Sequence, residues 1–171
     1  MQFPELIKAR KSVRTFSKKE VEEEKLSAIL EAANSAPSAG NLQAYEIYAV
    51  TSQEIKSRLA KAAFGQSSIS EAGFVLVFSA NEKRSASKYD ARGKELYSVQ
   101  DATIACAYAQ LAAADQGLGC VWVGAFDEKE AAKAVGAGKD EKIVAILPIG
   151  YPGEKPKATP RRRLNDLVHW E

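Results

Sequence analysis

The chain is poor in the residues that do chemistry unaided. It has one histidine and two cysteines in 171 residues. That excludes a His-rich or Cys-rich metal site, so no metal is expected. A Ser-His-Asp hydrolase would have to use His169, which sits beside Trp170 near the C-terminal end. Cys106 and Cys120 lie in apolar surroundings and read as buried free thiols, not as a disulfide framework. No apolar run is long enough for a membrane span. Met1 to Glu5 contains Pro4 and an acid, with no apolar core of a signal peptide after it. The expectation is a cytoplasmic chain with no membrane partner. The formal net charge is only +2, and no basic stretch is interleaved with aromatics, so no nucleic-acid partner is expected. There is no P-loop, and Gly117 and Gly119 do not open a dinucleotide fingerprint. If this is an enzyme, a bound cofactor carries the hard step.

What is present fits one globular domain over residues 1–171. Hydrophobic residues make up 46% of the chain, and no repeat or boundary interrupts it. The positive charge gathers in two places, Lys8-Arg10-Lys11-Arg14 and Arg161-Arg162-Arg163. Clusters at the two ends of a near-neutral chain point to a local anionic ligand. Phe3 to Lys11 has helical spacing with Pro4 in its first turn. Ser12 to Phe16 alternates, so an extended backbone puts Ser12 and Arg14 on one side. Either Arg10, Ser12 and Arg14 converge on one point, or they are a solvated helix end with cations at its C-terminus.

Ser17 and Glu20 have capping-box spacing, ahead of an apolar face from Val21 to Ala33. Strands are expected at Tyr45–Val50, Phe74–Phe78, Cys120–Val123 and Ile143–Gly150, and helices at Ser52–Ala63, Ser98–Gln116 and Glu128–Val135. Phe74 to Phe78 is wholly apolar, the pattern of a strand covered on both faces. Asn81 to Gly93 is polar and reads as a mobile connection with at most a helical turn, placed beside any substrate pocket. Ser98 to Gln116 is apolar nearly all round and rich in alanine, which calls for a central position or burial between two chains. Residues 153–171 form an extended arm, with Pro152 just ahead of it and Pro156 and Pro160 before Arg161.

Ala36-Pro37-Ser38-Ala39-Gly40-Asn41-Leu42-Gln43 is uncharged, small and rich in donors. It serves as a helix-to-strand turn or as a wall against which a ligand lies close to the backbone. Taken with Ala9 to Phe16, Gln100-Asp101-Ala102, Gly117 to Phe126, Pro160 to Leu164 and the closing Val168 to Glu171, it resembles the nitroreductase family of flavin mononucleotide (FMN) oxidoreductases. Each stretch alone is weak, but they stand in the family's order along almost the whole chain. The resemblance implies an α+β three-layer sandwich, with a central, mainly antiparallel sheet flanked by helices, in an intertwined homodimer. FMN would lie at the interface. Arg10, Lys11, Ser12 and Arg14 would hold its phosphate and ribityl chain, joined by Arg161 and Arg163 from the arm. Pro37, Ser38, Ala39, Asn41 and Gln43 of the partner would line the ring. Val123 and Gly124 would offer backbone N–H groups to its redox edge.

That picture explains how a chain with one histidine can be an enzyme. NAD(P)H would reduce the flavin, and a nitroaromatic, a quinone or a similar electron-poor acceptor would reoxidise it, with ping-pong kinetics. A dehalogenase-type or flavin-fragmenting chemistry, or a flavin-binding relay without turnover, stands as the alternative. The chain is short for the family between Ala63 and Phe74, which leaves the acceptor pocket open. Tyr89 and Arg92 then serve either as substrate contacts or as parts of a solvated loop.

Overall fold

A computed structural model describes residues 2–171. Four strands form the central sheet: β1 (Tyr45–Val50), β2 (Phe74–Asn81), β3 (Gly119–Cys120) and β4 (Glu141–Gly150). Their order is β1-β2-β4-β3 and every pairing is antiparallel. The apolar run of β2 sits in the centre, with Val75 to Phe78 wholly buried. Its side chains divide by the period of two. Phe74, Leu76 and Phe78 enter one core with α2 (Glu23–Asn34) and α6 (Ser98–Asp115). Val75 and Val77 enter a second core with α3 (Gln53–Ala62), α4 (Ser67–Glu71) and α7 (Glu128–Val135). Helices on both faces of one sheet give the α+β three-layer sandwich. Truncating a side chain such as Phe78 to alanine there costs about 3–5 kcal/mol.

Most of the expected elements form. Ser52 and Asp127 cap α3 and α7 through side-chain oxygens that accept from Ile55 and Glu130. Gly117 ends α6 at φ +74°, a conformation that favours glycine. The thiols of Cys106 and Cys120 are free and buried, and burial pushes Cys120 up to about 12.

Three expectations are corrected. The helix after Ser17 begins at Glu23, not at a Ser17–Glu20 box. Tyr151 donates to the Glu22 carboxylate at 2.8 Å and accepts from Lys25 at 2.7 Å, holding the chain extended until that point. The strand expected at Cys120–Val123 stops at Cys120 and resumes as a single bridge between Val123 and Ile146. The register puts Val121 opposite Pro148, which has no N–H to offer the ladder. Asn81–Gly93 is not a loose connection. It holds α5 (Glu82–Arg92), capped where Asn81 Oδ1 accepts from Arg84 N at 2.9 Å, and runs through a wide helical turn at Gly93–Tyr97 into α6.

The N-terminal helix α1 (Phe3–Ala9) lies against α6. The inner face of α6, with Ala102, Ala105, Ala109 and Ala113, is buried, while Tyr108 on its other side is exposed. The arm from Lys157 onward is exposed throughout, including Leu164, Leu167, Val168 and Trp170. No helix among the described residues is long and apolar enough to cross a membrane.

Candidate functional site

Two regions of the fold collect the residues that the sequence singles out. The first is basic. Ser12 forms a parallel bridge to Cys120 beside β3, and Val13 N donates to Cys120 O at 2.9 Å. Val13 and Phe16 point into the second core, so Arg14 is left outside. The arm returns to the same place. The Glu154 carboxylate accepts from Arg14 N at 2.6 Å and Thr15 N at 3.0 Å, and Gly153 N donates to Thr15 O at 2.8 Å. These bonds bring Arg161 to a cavity of about 630 Å³ that Arg10, Lys11, Ser12 and Arg14 also line. No acidic side chain lines it. Guanidinium groups beside a hydroxyl, with no ion pair of their own among the described residues, are the donor set of a phosphate site.

Arg161 and Arg163 do not share that target. Arg163 starts a short helical turn, and its guanidinium bonds both carboxylate oxygens of Asp166 at 3.1 and 3.2 Å. The alternation expected of an extended arm stops there, because a partner three residues away captures the side chain.

The second region is the loop before β1. Gly40, Asn41 and Gln43 all have positive φ, at +57°, +57° and +49°. Asparagine tolerates that region and glutamine does so less readily, so the loop stores strain that its surroundings must hold. Asp101, 2% exposed at the start of α6, supplies the hold. Its carboxylate accepts from Ala39 N at 2.9 Å and Ala44 N at 3.4 Å. Ser38 Oγ accepts from Gln43 N at 2.9 Å, and Gln43 Nε2 donates to Asn41 O at 2.8 Å. Helix α5 closes the outer side: Arg84 Nε donates to Leu42 O, and a Cβ on Gly40 would collide with the Tyr89 hydroxyl. The sequence offered Gln100-Asp101-Ala102 as a pattern only. The buried carboxylate's role follows from its two backbone partners.

Pro37, Ser38 and Ala39 line a second cavity, of about 540 Å³, with Tyr97, Val99 and Ile104. It shares no lining residue with the basic cavity. Asn41 and Gln43 line neither. The backbone groups of Val123 are both spent on the sheet, its N–H donating to Ile146 O at 2.9 Å and its carbonyl accepting from Ile146 N at 3.0 Å. Gly124 is exposed and makes no such bond, so of the two expected donors it is the one available. The Ala62–Gln66 turn packs beside it: Asp127 N donates to Ala62 O at 2.8 Å, and Gln66 Nε2 donates to Ala125 O at 3.3 Å. Phe64 on that turn has φ +57° and is 75% exposed. Sequence reading gave Phe64 no role, and only its backbone angle and exposure single it out. Tyr89 and Arg92 pack on Tyr97, by an edge-on ring contact and a bond to the hydroxyl respectively.

Comparison with known proteins matches the Nitroreductase family model over residues 7–86 and 64–151. An NADH dehydrogenase of Thermus thermophilus is 32% identical, over 94% of this chain and 92% of its own length. An FMN reductase [NAD(P)H] of Bacillus subtilis is 30% identical, over 94% of this chain and 70% of its own. Among solved structures, the NADPH:FMN oxidoreductase of Vibrio harveyi complexed with NAD+ superposes with a TM-score of 0.89 at 26% identity, covering 98% of this chain and 76% of the other.

Proposed function

The chain belongs to the nitroreductase family, and from that premise we propose that it is an FMN-dependent NAD(P)H oxidoreductase built as a homodimer. The observation that carries the reading is the convergence of Arg10, Ser12, Arg14 and Arg161, from opposite ends of the chain, on one cavity without an acid. The donor set fits the phosphate of FMN, and bidentate arginine contacts suit a phosphate dianion. When bound, FMN supplies the hydride chemistry between a nicotinamide donor and an electron-poor acceptor such as a nitroaromatic or a quinone. Lys11 and Ser12 add donors beside the arginines. The exposed Gly124 N–H offers a fixed dipole toward negative charge that develops on a reduced ring, and no side chain has to titrate. Donor and acceptor taking turns in one open pocket give ping-pong kinetics.

Two features support a two-chain site. The loop around Pro37, Ser38 and Ala39 lines a different cavity from the arginines. On the two-chain reading its strained, pre-set backbone faces a ligand held by another copy. The second feature is apolar surface without cover. Leu164 and Trp170 are 74% and 91% exposed on the arm, and Phe3 and Tyr108 are exposed along α1 and α6. Burying such surface is worth roughly 25 cal/mol per Å² and drives association. In this arrangement Pro37, Ser38, Ala39, Asn41 and Gln43 serve the partner's flavin.

Titration of the purified protein with FMN, followed by absorbance and fluorescence, tests the cofactor. Saturable binding and bleaching by NADH or NADPH under anaerobic conditions are expected. A protein that takes up no FMN defeats the reading, and an FMN-loaded monomer in a size measurement defeats the shared site.

A further inference from the structure

The basic cavity carries more positive charge than one phosphate uses. Lys8, Arg10, Lys11, Arg14, Lys157 and Arg161 all line it. Among the described residues none of their side-chain cations has a carboxylate oxygen within 4.0 Å, and the Glu154 carboxylate beside Arg14 is bonded to backbone N–H groups. A phosphate monoester brings about −1.5 to −2 charges at pH 7. On the FMN reading, Arg10, Arg14 and Arg161 already answer that, with Lys11 beside them. Lys8 and Lys157 are left over, both exposed. Lys8 alone has a local explanation, since it lies in the last turn of α1, where the helix dipole favours a cation. Lys157 has no such reason. It lies on a stretch of the arm without helix, yet it lines the same cavity.

We propose that Lys8 and Lys157 form a second phosphate-monoester site at the rim of this cavity, used by a co-substrate and not by the resident flavin. The proposal rests on the FMN reading above. The residue types fit the division of labour. Arginine's rigid fork suits a phosphate that stays, while lysine's mobile point charge suits one that arrives and leaves. Two co-substrates offer this chemistry: NADPH through its 2′-phosphate, and free FMN, used as an acceptor, through its 5′-phosphate.

The test compares the FMN-loaded parent with the Lys8→Ala/Lys157→Ala double variant. Both positions are exposed, so the fold tolerates the change. Steady-state kinetics are run with NADPH against NADH, and with FMN against riboflavin as acceptor. Calorimetry measures 2′,5′-ADP against AMP. The expected result is a roughly five- to tenfold rise in KM for the phosphorylated member of one pair, with its unphosphorylated counterpart unmoved. A parallel loss of 2′,5′-ADP affinity identifies the nucleotide as the source, and a shift confined to FMN over riboflavin identifies the flavin. Equal shifts within both pairs, or no shift in either, overturn the proposal. So does loss of the bound FMN, which would put the lysines on the cofactor. A parent that never takes up FMN overturns the cofactor reading itself, and flavin absorbance shows that before any variant is compared.

Discussion

The basic cavity and the loop before β1 prepare for a ligand in opposite ways. In the cavity the side chains are unspent: arginines and lysines stand around a hollow that no acidic side chain lines. In the loop almost everything is spent. The Ser38 hydroxyl, the Gln43 amide and the Ala39 N–H are all bonded within the protein, and the backbone is held in a left-handed conformation. The first region offers charge and leaves its geometry adjustable. The second offers a fixed surface whose strain is met in advance by Asp101. A phosphate needs the first kind of site. A flat ring that must present one edge needs the second.

That contrast breaks most readily at the arginines. Replacing Arg10 and Arg14 together with alanine removes charge-assisted bonds worth about 1.5–3 kcal/mol each. FMN affinity, read by flavin fluorescence, is expected to fall roughly 100-fold or more, with thermal stability little changed. An unchanged affinity would move the phosphate elsewhere. Asp101→Ala should do the reverse. It strands the Ala39 and Ala44 N–H groups, at about 1–3 kcal/mol for a buried donor left without a partner. The melting temperature should drop by several degrees even in flavin-free protein. If it did not, the loop would owe its shape to something other than Asp101.

A pH effect at Glu141, which lines neither cavity, provides a control. Burial pushes the Glu141 carboxyl up, but bonds from the Ser79 and Tyr48 hydroxyls and the Gly138 N–H outweigh it and hold it below the usual value of 4.5. The folded form therefore binds a proton less readily than the unfolded chain. The resulting stability is complete above about 4.5 and is lost as pH falls through the lowered value. Acid unfolding curves of Glu141→Gln should lack that component, and FMN affinity at neutral pH should stay put. The smallest effect concerns the arm. Arg163→Ala breaks an exposed pair with Asp166 that is worth under about 1 kcal/mol. It should leave FMN binding unaltered, whereas Arg161→Ala should weaken it roughly tenfold. Equal effects of the two substitutions would show that Arg163 leaves Asp166 when ligand binds.

The fold was legible wherever a local pattern matched its tertiary use. The apolar run of β2, the Ser52 and Asp127 caps and Gly117 each say in sequence what they do in space. Reading failed where a distant residue intervened. Nothing near Glu22 announces that Tyr151 will hold it extended, and nothing in Cys120–Val123 shows that a proline lies opposite in β4. Helix α5 was missed because its faces are polar. Its stability comes from the Asn81 cap and from packing over the Gly40 loop, neither of which gives an apolar period.

Residue types alone point to the kind of chemistry. A chain with one histidine, clustered arginines at both ends and a small, donor-rich loop is equipped for borrowed reactivity and an anionic ligand, whatever its shape. Residue type sets charge, hydrogen-bonding capacity and backbone freedom, and these survive any rearrangement. Tertiary structure alone decided which of the candidates meet. It brought Arg161 to Arg10 and withheld Arg163. It spent the Val123 N–H on Ile146 and left that of Gly124 open. It also set a buried carboxylate under the strained loop. Convergence depends on the path of the chain between two residues, and no property of either residue contains that path.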